Sequence, residues 1–278
     1  MKDGPTLTVV SLGGGVQSTV MALMASTGAF DRVPDCAIFD DTHWEPPSVY
    51  EHIEWLEGQL SFPVYVVDNG RSLREDVKAL TNHSGSNNYV DIPVYLKGRD
   101  EESDGIGRRQ CTTNYKVRPI RRKIRELLGL RKGQRVTSGT TVELWLGIST
   151  DEAVRMKDSR EKWMRNRYPL IETGMSQQDC IDWWNIRYAR PLERSVCVAC
   201  PFQSRQRWVE TKRWWPEPFA EAVEIDAKMR EGLAFAKEPH LYSLRMPLDE
   251  AVALDETKLG GDGQADGLGN ECEGHCGV

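Results

Sequence analysis

The chain reads Ser11-Leu12-Gly13-Gly14-Gly15-Val16-Gln17-Ser18 at the point where an apolar run, residues 7–12, gives way to a helical pattern. The apolar residues after the glycines recur on helical spacing. They are Val20, Met21, Leu23 and Met24. A strand that enters a helix through a glycine turn points backbone N–H groups and the positive end of the helix dipole at one spot. The stretch therefore predicts a phosphate-binding loop.

The alternation of strands and helices extends well beyond this loop. Further strands are predicted over residues 36–39, 64–67 and 142–148, with amphipathic helices between them. This order predicts an α/β fold, a parallel twisted sheet with flanking helices. The polar segment 81–107 is predicted to be a long loop or lid.

The sequence changes character after residue 168. We expect a nucleotide-binding α/β domain over residues 1–168, a smaller helical region rich in Cys and Trp over 169–259, and a flexible tail with cysteines over 260–278. Ser176-Gln177-Gln178-Asp179 has the pattern of a helix cap and predicts where the first long helix of the second region begins.

Composition narrows the class of protein. No apolar run approaches the roughly 20 residues of a membrane span, and no secretory signal pattern precedes the first strand. We therefore expect a cytoplasmic protein without a membrane partner, while its oligomeric state is not indicated. Seven cysteines are too few for a disulfide scaffold in a chain of 278 residues, so metal binding or redox chemistry is expected of them.

Positive charge is concentrated in residues 108–135. This basic segment holds eleven Lys or Arg against a single acid, Glu126, and its charge of +10 leaves −16 for the rest of the chain. Such a density suits a polyphosphate or a nucleic-acid backbone, so RNA or DNA is a candidate partner. The alternative is that these cations pair with the acids elsewhere. Six of the nine tryptophans lie between Trp163 and Trp215 and can either stack on bases or fill a core.

Four cysteines are candidate metal ligands. Cys197 and Cys200 form a C-x-x-C pair, whose spacing lets two thiolates reach one metal, and Cys111 and Cys180 complete a set of four. Four thiolates suit either tetrahedral zinc or a 4Fe–4S cluster. Cys180 alone is equally explained as a small buried core residue, and Cys36, within a strand, is interpreted as core.

The glycine loop resembles the PP-loop of ATP pyrophosphatases and phosphoadenylylsulfate (PAPS) reductases, whose usual form is Ser-Gly-Gly-x-Asp-Ser. Here Gly13 replaces the first Ser, Gln17 replaces the Asp, and Ser18 stands where the family's last Ser donates to phosphate. The loop has neither the Lys of a Walker A sequence nor the spacing of G-x-G-x-x-G. The resemblance implies that an adenosine nucleotide, such as ATP, binds here, with Mg²⁺ as a candidate companion. The residues implied are Ser11, Gly13, Gly14, Gly15, Gln17 and Ser18.

Two later segments extend this resemblance over about the first 160 residues. Asp41-Thr42-His43-Trp44 resembles the Asp-Thr-Gly segment that PAPS reductases use near adenosine, although Asp41 is also explained as a helix cap. The stretch from Gly147 to Arg155 is similar to the family's Gly-x-Arg-x-x-Glu-Ser-x-x-Arg pattern, in which only Arg155 carries over. Asp41 and Arg155 are therefore added to the predicted nucleotide site.

The cysteine segments resemble those of iron–sulfur PAPS reductase-like proteins, including proteins that thiolate nucleic acids. This resemblance implies a 4Fe–4S cluster rather than zinc. The tail, Glu271-Cys272-Glu273-Gly274-His275-Cys276, loosely resembles the Glu-Cys-Gly-Leu-His tail of sulfonucleotide reductases. It implies Cys272 and Cys276 as candidate catalytic nucleophiles, since a thiolate is the attacking form, with metal ligation or no role as the alternatives.

The resemblance implies a PAPS reductase-like enzyme, a sulfurtransferase or an oxidoreductase. Its expected reaction is iron–sulfur-dependent, ATP-dependent thiolation of a nucleic acid or small molecule, with sulfur from a thiol or sulfur-donor protein. The first alternative is reduction of a sulfonucleotide by a tail cysteine. A second alternative, of a different class, is a non-catalytic nucleic-acid-binding protein stabilised by zinc, and the replacement of the loop's Asp by Gln17 favours it.

Overall fold

A computed structural model describes residues 6–192, 195–233 and 237–259. Five of its strands form one sheet, and three short ones form a second. The strands are β1 (Leu7–Leu12), β2 (Cys36–Asp40), β3 (Val64–Val67), β4 (Tyr95–Lys97), β5 (Gly105–Ile106), β6 (Val142–Leu146), β7 (Met164–Arg167) and β8 (Glu238–His240).

The main sheet is parallel throughout and has the order β3-β2-β1-β6-β7. β1 lies at its centre, where Ser11 is paired with Ile38 of β2 on one side and with Leu146 of β6 on the other. The chain moves outward from β1 to β3 and then returns to the opposite side of β1, so the strand order reverses between β1 and β6. A crevice at the carboxyl ends of such strands is where open α/β sheets bind ligands.

Helices flank the sheet, and the predicted α/β fold is confirmed. They are α1 (Val16–Ser26), α2 (Pro47–Glu57), α3 (Leu73–Lys78), α4 (Arg118–Leu127), α5 (Pro169–Glu172), α6 (Gln177–Arg187), α7 (Arg205–Trp214), α8 (Pro216–Gly232) and α9 (Leu248–Leu259). A π-helix over Thr112–Val117 runs directly into α4, and a short 3₁₀ segment covers Thr150–Arg155. Within the described ranges, none of the helices combines the length and apolarity that a membrane crossing requires.

Two cores cover the two faces of the main sheet. Because successive strand residues point to opposite faces, Val10 and Leu12 pack with α1, α2 and α6, whereas Val9 packs with Ile120 and Ile124 of α4. The capping pattern at Ser176 is confirmed at the start of α6, where Ser176 and Asp179 form a reciprocal capping box. Helix α6 packs on the face of the sheet that contains Val10 and Leu12.

A third core joins α7, α8 and α9 to the segment after α3. The predicted long loop over residues 81–107 is confirmed in part, since residues 81–94 form neither helix nor strand. Val90, Ile92 and Val94 are buried in that core, and the segment supplies β4 and β5 to the second sheet, of order β5-β4-β8. These three apolar residues precede β4 and are buried without belonging to a helix or strand.

His52 of α2 connects the two helices that support the glycine loop. Its Nε2 lies 3.0 Å from Oγ1 of Thr19 on α1, and its ring is buried beside Trp55 and Trp184. Burial, with a smaller contribution from the positive charge of Arg190, lowers the pKa of His52 to about 4. His52 is therefore neutral in the folded protein at pH values where an exposed histidine is protonated.

We predict that His52 lowers the free energy of unfolding as the pH falls. An unfolded histidine titrates near 6.5, so the unfolded state binds an extra proton between about pH 6.5 and pH 4. The stabilisation is complete above this window and is lost as the pH falls through it, by roughly 3 kcal/mol. Urea unfolding at both ends of the window should show a smaller loss for His52→Gln than for the wild type. An equal loss in both proteins contradicts the assignment.

Candidate active site at the carboxyl edge of the sheet

The glycine loop leaves the N-terminus of α1 without a side-chain cap. Gly15 is the N-cap residue and supplies no side-chain cap hydrogen bond, and the first turn holds no acidic residue. Residues 11–18 are all buried. The first N–H groups of a helix have no intrahelical partner, and together with the helix dipole they favour an anion. The loop therefore offers buried donors at the carboxyl end of the central strand.

The shape of the loop depends on glycine at two places. Gly14 has a φ of +75°, and a Cβ there would lie 3.3 Å from the side chains of Val49 and Ile53 on α2. Gly147 follows β6, and a Cβ on it would lie 2.6 Å from the backbone nitrogen of Ser18. Only glycine lets the end of β6 approach the first turn of α1 so closely. This contact fixes the position of the loop against the neighbouring strand.

A chain of polar contacts links the loop to the segment after β6. Nε2 of Gln17 lies 3.3 Å from Oε2 of Glu152 and 3.5 Å from Oγ of Ser149. The other carboxylate oxygen of Glu152 accepts from the guanidinium of Arg155. Gln17 and Arg155 were both predicted at the nucleotide site. In the structure they contact different oxygens of the Glu152 carboxylate. Glu152 and Ser149 were absent from the predicted set.

The two serines of the loop occupy different environments. Oγ of Ser18 lies 3.4 Å from the carbonyl oxygen of Gly15, within the first turn of α1. Ser11 is buried inside β1, two residues before the glycines. Ser18 is therefore next to the uncapped N–H groups, whereas Ser11 precedes the turn.

Asp41 shapes the loop after β2. Its Oδ1 accepts from the backbone N–H of His43 at 2.6 Å and from the Tyr50 hydroxyl at 2.9 Å. His43 has a φ of 57°, so the carboxylate stabilises a tight turn in the left-handed region. Burial, and then the hydrogen bond to Asp41, raise the pKa of Tyr50 well above its usual value. Asp41 does not cap α2, whose N-cap residue is Pro46.

A buried charged cluster lies at the end of β2, and the sequence did not single it out. Nζ of Lys116, on the π-helix, lies 3.5 Å from Oδ2 of Asp40 and 3.7 Å from Oε1 of Glu45. All three side chains are at most 3% exposed. Lys116 is counted in the basic segment, and its sequence neighbours did not distinguish it, because both of its carboxylate partners lie more than 70 residues earlier in the chain.

This cluster contacts the first cysteine of the C-x-x-C pair. Sγ of Cys197 lies 3.3 Å from Oε1 of Glu45 and 3.6 Å from Oγ1 of Thr42. Oγ of Ser195 donates to the other oxygen of Glu45 at 3.2 Å. The cysteine loop is therefore anchored to the carboxyl edge of β2, one strand from the glycine loop.

Three of the four predicted metal ligands belong to one region. Cys197 is part of the third core, and Cys111 and Cys200 pack against it. The guanidinium of Arg109, two residues before Cys111, lies over the ring of Phe202, two residues after Cys200, at 5.4 Å. Cys180 is instead fully buried between α1 and α6 on a face of the main sheet. Cys272 and Cys276 lie outside the described residues.

The four cysteines as placed do not fit a four-thiolate cluster, because Cys180 packs in a different core from the others. Across residues 6–192, 195–233 and 237–259, no group of three or more His, Cys, Asp or Glu side chains is arranged to hold a metal ion. Cys180 has the surroundings of a small apolar core residue, next to Trp184.

We predict that Cys180 contributes packing and not metal binding. Cys180→Ala should lower the free energy of unfolding by about 1 kcal/mol and leave the iron and zinc content per chain unchanged. The matched control is Cys36→Ala, which removes a buried thiol that lies on β2. Metal analysis after anaerobic purification checks this. A loss of metal confined to Cys180→Ala contradicts the prediction.

The basic segment and the tryptophans divide into buried and exposed parts. Trp184 and Trp208 are fully buried, so they belong to cores, whereas Trp214 is 63% exposed. The arginines of α4 project from the side opposite Ile120 and Ile124, and they line a groove of about 610 Å³. Most of the basic segment is thus solvent-facing, and Lys116 is its buried exception.

The parallel sheet and the uncapped helix at its reversal point define an α/β class with a ligand crevice at this edge. The chain belongs to the phosphoadenosine phosphosulfate reductase domain family, whose family model matches residues 7–157. Among solved structures it is similar to phosphoadenylyl-sulfate (PAPS) reductase from Candida auris, described as a phosphate complex. The identity is 15%, the TM-score is 0.42, and the match covers 68% of this chain and 76% of that chain. No curated protein matches the chain.

Proposed function

We propose that this chain is a PP-loop enzyme that binds an adenosine nucleotide at the glycine loop and transfers sulfur. The expected reaction is ATP-dependent thiolation of a nucleic acid or a small molecule. The family is one of enzymes that act on adenosine nucleotides, which supports the nucleotide part of the proposal.

One observation carries the proposal: a buried, uncapped helix N-terminus lies at the point where the strand order of the sheet reverses. Buried N–H groups need partners, and phosphate oxygens supply them without a cationic side chain. This accounts for a loop without the lysine of a Walker A sequence. The role of Gln17 is to hold Glu152 with its amide, since an acid in its place would repel that carboxylate.

The chemistry we infer has two steps. The acceptor's oxygen attacks the α-phosphorus of ATP, and pyrophosphate leaves with the electron pair of the broken P–O bond. A hydrosulfide-type sulfur then attacks the carbon that bears the AMP, so that a C–S bond replaces the C–O bond and AMP leaves. Uncapped N–H groups stabilise the charge that develops on phosphate oxygens. The thiol of Cys197 contacts the buried cluster, where it donates to Glu45 at 3.3 Å.

No step is assigned to an iron–sulfur cluster, because the four predicted cysteines do not meet in one place. Reduction of a sulfonucleotide by a tail cysteine is the competing function, and it is favoured by the family to which the chain belongs. The two functions differ in the nucleotide consumed and in the product released.

We predict that Gly147→Ala weakens nucleotide binding about tenfold, which corresponds to about 1.4 kcal/mol. The added methyl group meets backbone atoms of Ser18 and displaces the first turn of α1 from the end of β6. Calorimetric titration with ATP measures the effect. Gly58→Ala is the control, because Gly58 has a φ of −71° and its nearest neighbour would lie at 3.4 Å. Equal affinity of Gly147→Ala and wild type argues against the proposed loop contact.

The reaction itself is tested by supplying each nucleotide in turn. With ATP, a sulfide source and a mixture of RNA and DNA strands, the proposal expects pyrophosphate and AMP to be released in step with thiolation of the acceptor. With PAPS and a thioredoxin system, it expects no sulfite. Sulfite production from PAPS without pyrophosphate release from ATP shows that the competing reductase function is the correct one.

A further inference from the structure

The groove beside α4 is strongly cationic and is separate from the glycine loop. Six basic side chains line it, together with the ring of Trp163 and two acids, Glu126 and Glu161. The basic residues are Arg118, Arg121, Arg122, Arg125, Arg131 and Lys132. A groove with four more cations than anions attracts a polyanion.

The acids of the rest of the chain leave these cations largely unneutralised. Among the described residues, only Arg121 of the six has a carboxylate within ion-pair distance, Glu161 at 3.4 Å. Arg122 and Arg125 donate to backbone carbonyls of Asp68 and Gln134, which orients them without cancelling their charge. The alternative explanation of the basic segment, pairing with distant acids, therefore applies to one of the six groove cations, Arg121.

The groove begins near the carboxyl edge of the sheet. Arg118 comes two residues after Lys116, whose ammonium group is next to Asp40 at the end of β2. Trp163 immediately precedes β7, so it lies toward the opposite, amino edge. Helix α4 spans about 15 Å at 1.5 Å per residue, which is long enough to face several successive phosphates of one strand.

We infer that this groove holds the phosphodiester backbone of a single-stranded nucleic acid and guides it toward the carboxyl edge. Arginines in a row fit phosphates, and the half-buried ring of Trp163 offers a surface on which an unpaired base can stack. A duplex keeps its bases stacked inside and offers none to the ring. The inference depends on the proposed sulfur transfer in one respect only, namely that the bound strand is the acceptor of the sulfur.

Strand binding is measured by fluorescence anisotropy with a labelled single strand of about 15 nucleotides, as RNA and as DNA. Its duplex and inorganic tripolyphosphate are tested as competitors over about 0.05 to 0.2 M salt. The wild type should bind the single strand with a steep salt dependence. Arg131→Gln/Lys132→Gln should bind roughly tenfold more weakly, with a log–log salt slope smaller in magnitude by about 1.4, since each lost phosphate contact removes about 0.7.

The matched control, Lys212→Gln/Lys228→Gln, removes two positive charges outside the groove. Lys212 of α7 pairs with Glu256 of α9, and Lys228 pairs with Glu224 on α8. This control variant should retain the wild-type slope of the log–log salt dependence. The inference is overturned by any of three results: equal losses in both double variants, duplex binding as tight as that of the single strand, or equal displacement by tripolyphosphate at the same phosphate concentration.

ATP affinity, measured on the same proteins without a nucleic acid, separates this inference from the proposed function. The groove variant should bind ATP as the wild type does, because its two side chains line the groove, which contains no residue of the glycine loop. Salt-dependent strand binding by a protein that neither binds ATP nor releases pyrophosphate refutes the proposed function and leaves the groove assignment standing.

Discussion

The close contact between Gly147 and the first turn of α1 sets the geometry on which the site depends. It joins β6 to the glycine loop at the point where the strand order reverses, and it leaves no space for a side chain. From this contact, Ser149 and Glu152 reach Gln17, and Arg155 reaches Glu152. The uncapped N–H groups of α1 are therefore held in a fixed direction by backbone packing and not by a flexible side chain, which is the preorganisation that anion binding requires.

A second, electrostatic constraint connects the cysteine loop to the same edge. Burying Lys116 with Asp40 and Glu45 carries a desolvation penalty, which is opposed by their mutual attraction and by the hydrogen bonds that Glu45 accepts from Thr42 and Ser195. Glu45 also accepts from Ser195 and contacts Cys197, so the cluster ties residues from the C-x-x-C loop to the end of β2. Lys116 is buried on a π-helix, a rare element that is often found at functional sites, whereas arginines of the following helix α4 line the groove.

The sequence predicted the parallel sheet, the glycine loop and the cap at Ser176, because each depends on local periodicity or on a few adjacent residues. Contacts between distant segments were not predictable in this way. Cys180 and Cys197 are both cysteines, so residue type does not distinguish them. Only the packing of α6 on α1 places Cys180 in another core. Lys116 was counted as surface charge because its carboxylate partners come from β2 and the following loop, more than 70 residues earlier in the chain. Val90, Ile92 and Val94 were overlooked because they lie within a polar segment and are buried without belonging to a helix or strand.

The position of the nucleotide phosphates is the central claim, and a crystal structure with a non-hydrolysable ATP analogue tests it most directly. The phosphates should lie at the N-terminus of α1, with their oxygens within hydrogen-bond distance of backbone N–H groups in residues 15–18. The adenosine should lie along the carboxyl edge of β1 and β2. Phosphates bound along the arginines of α4, with the glycine loop unchanged and still buried, would contradict the claim and make that groove the nucleotide site.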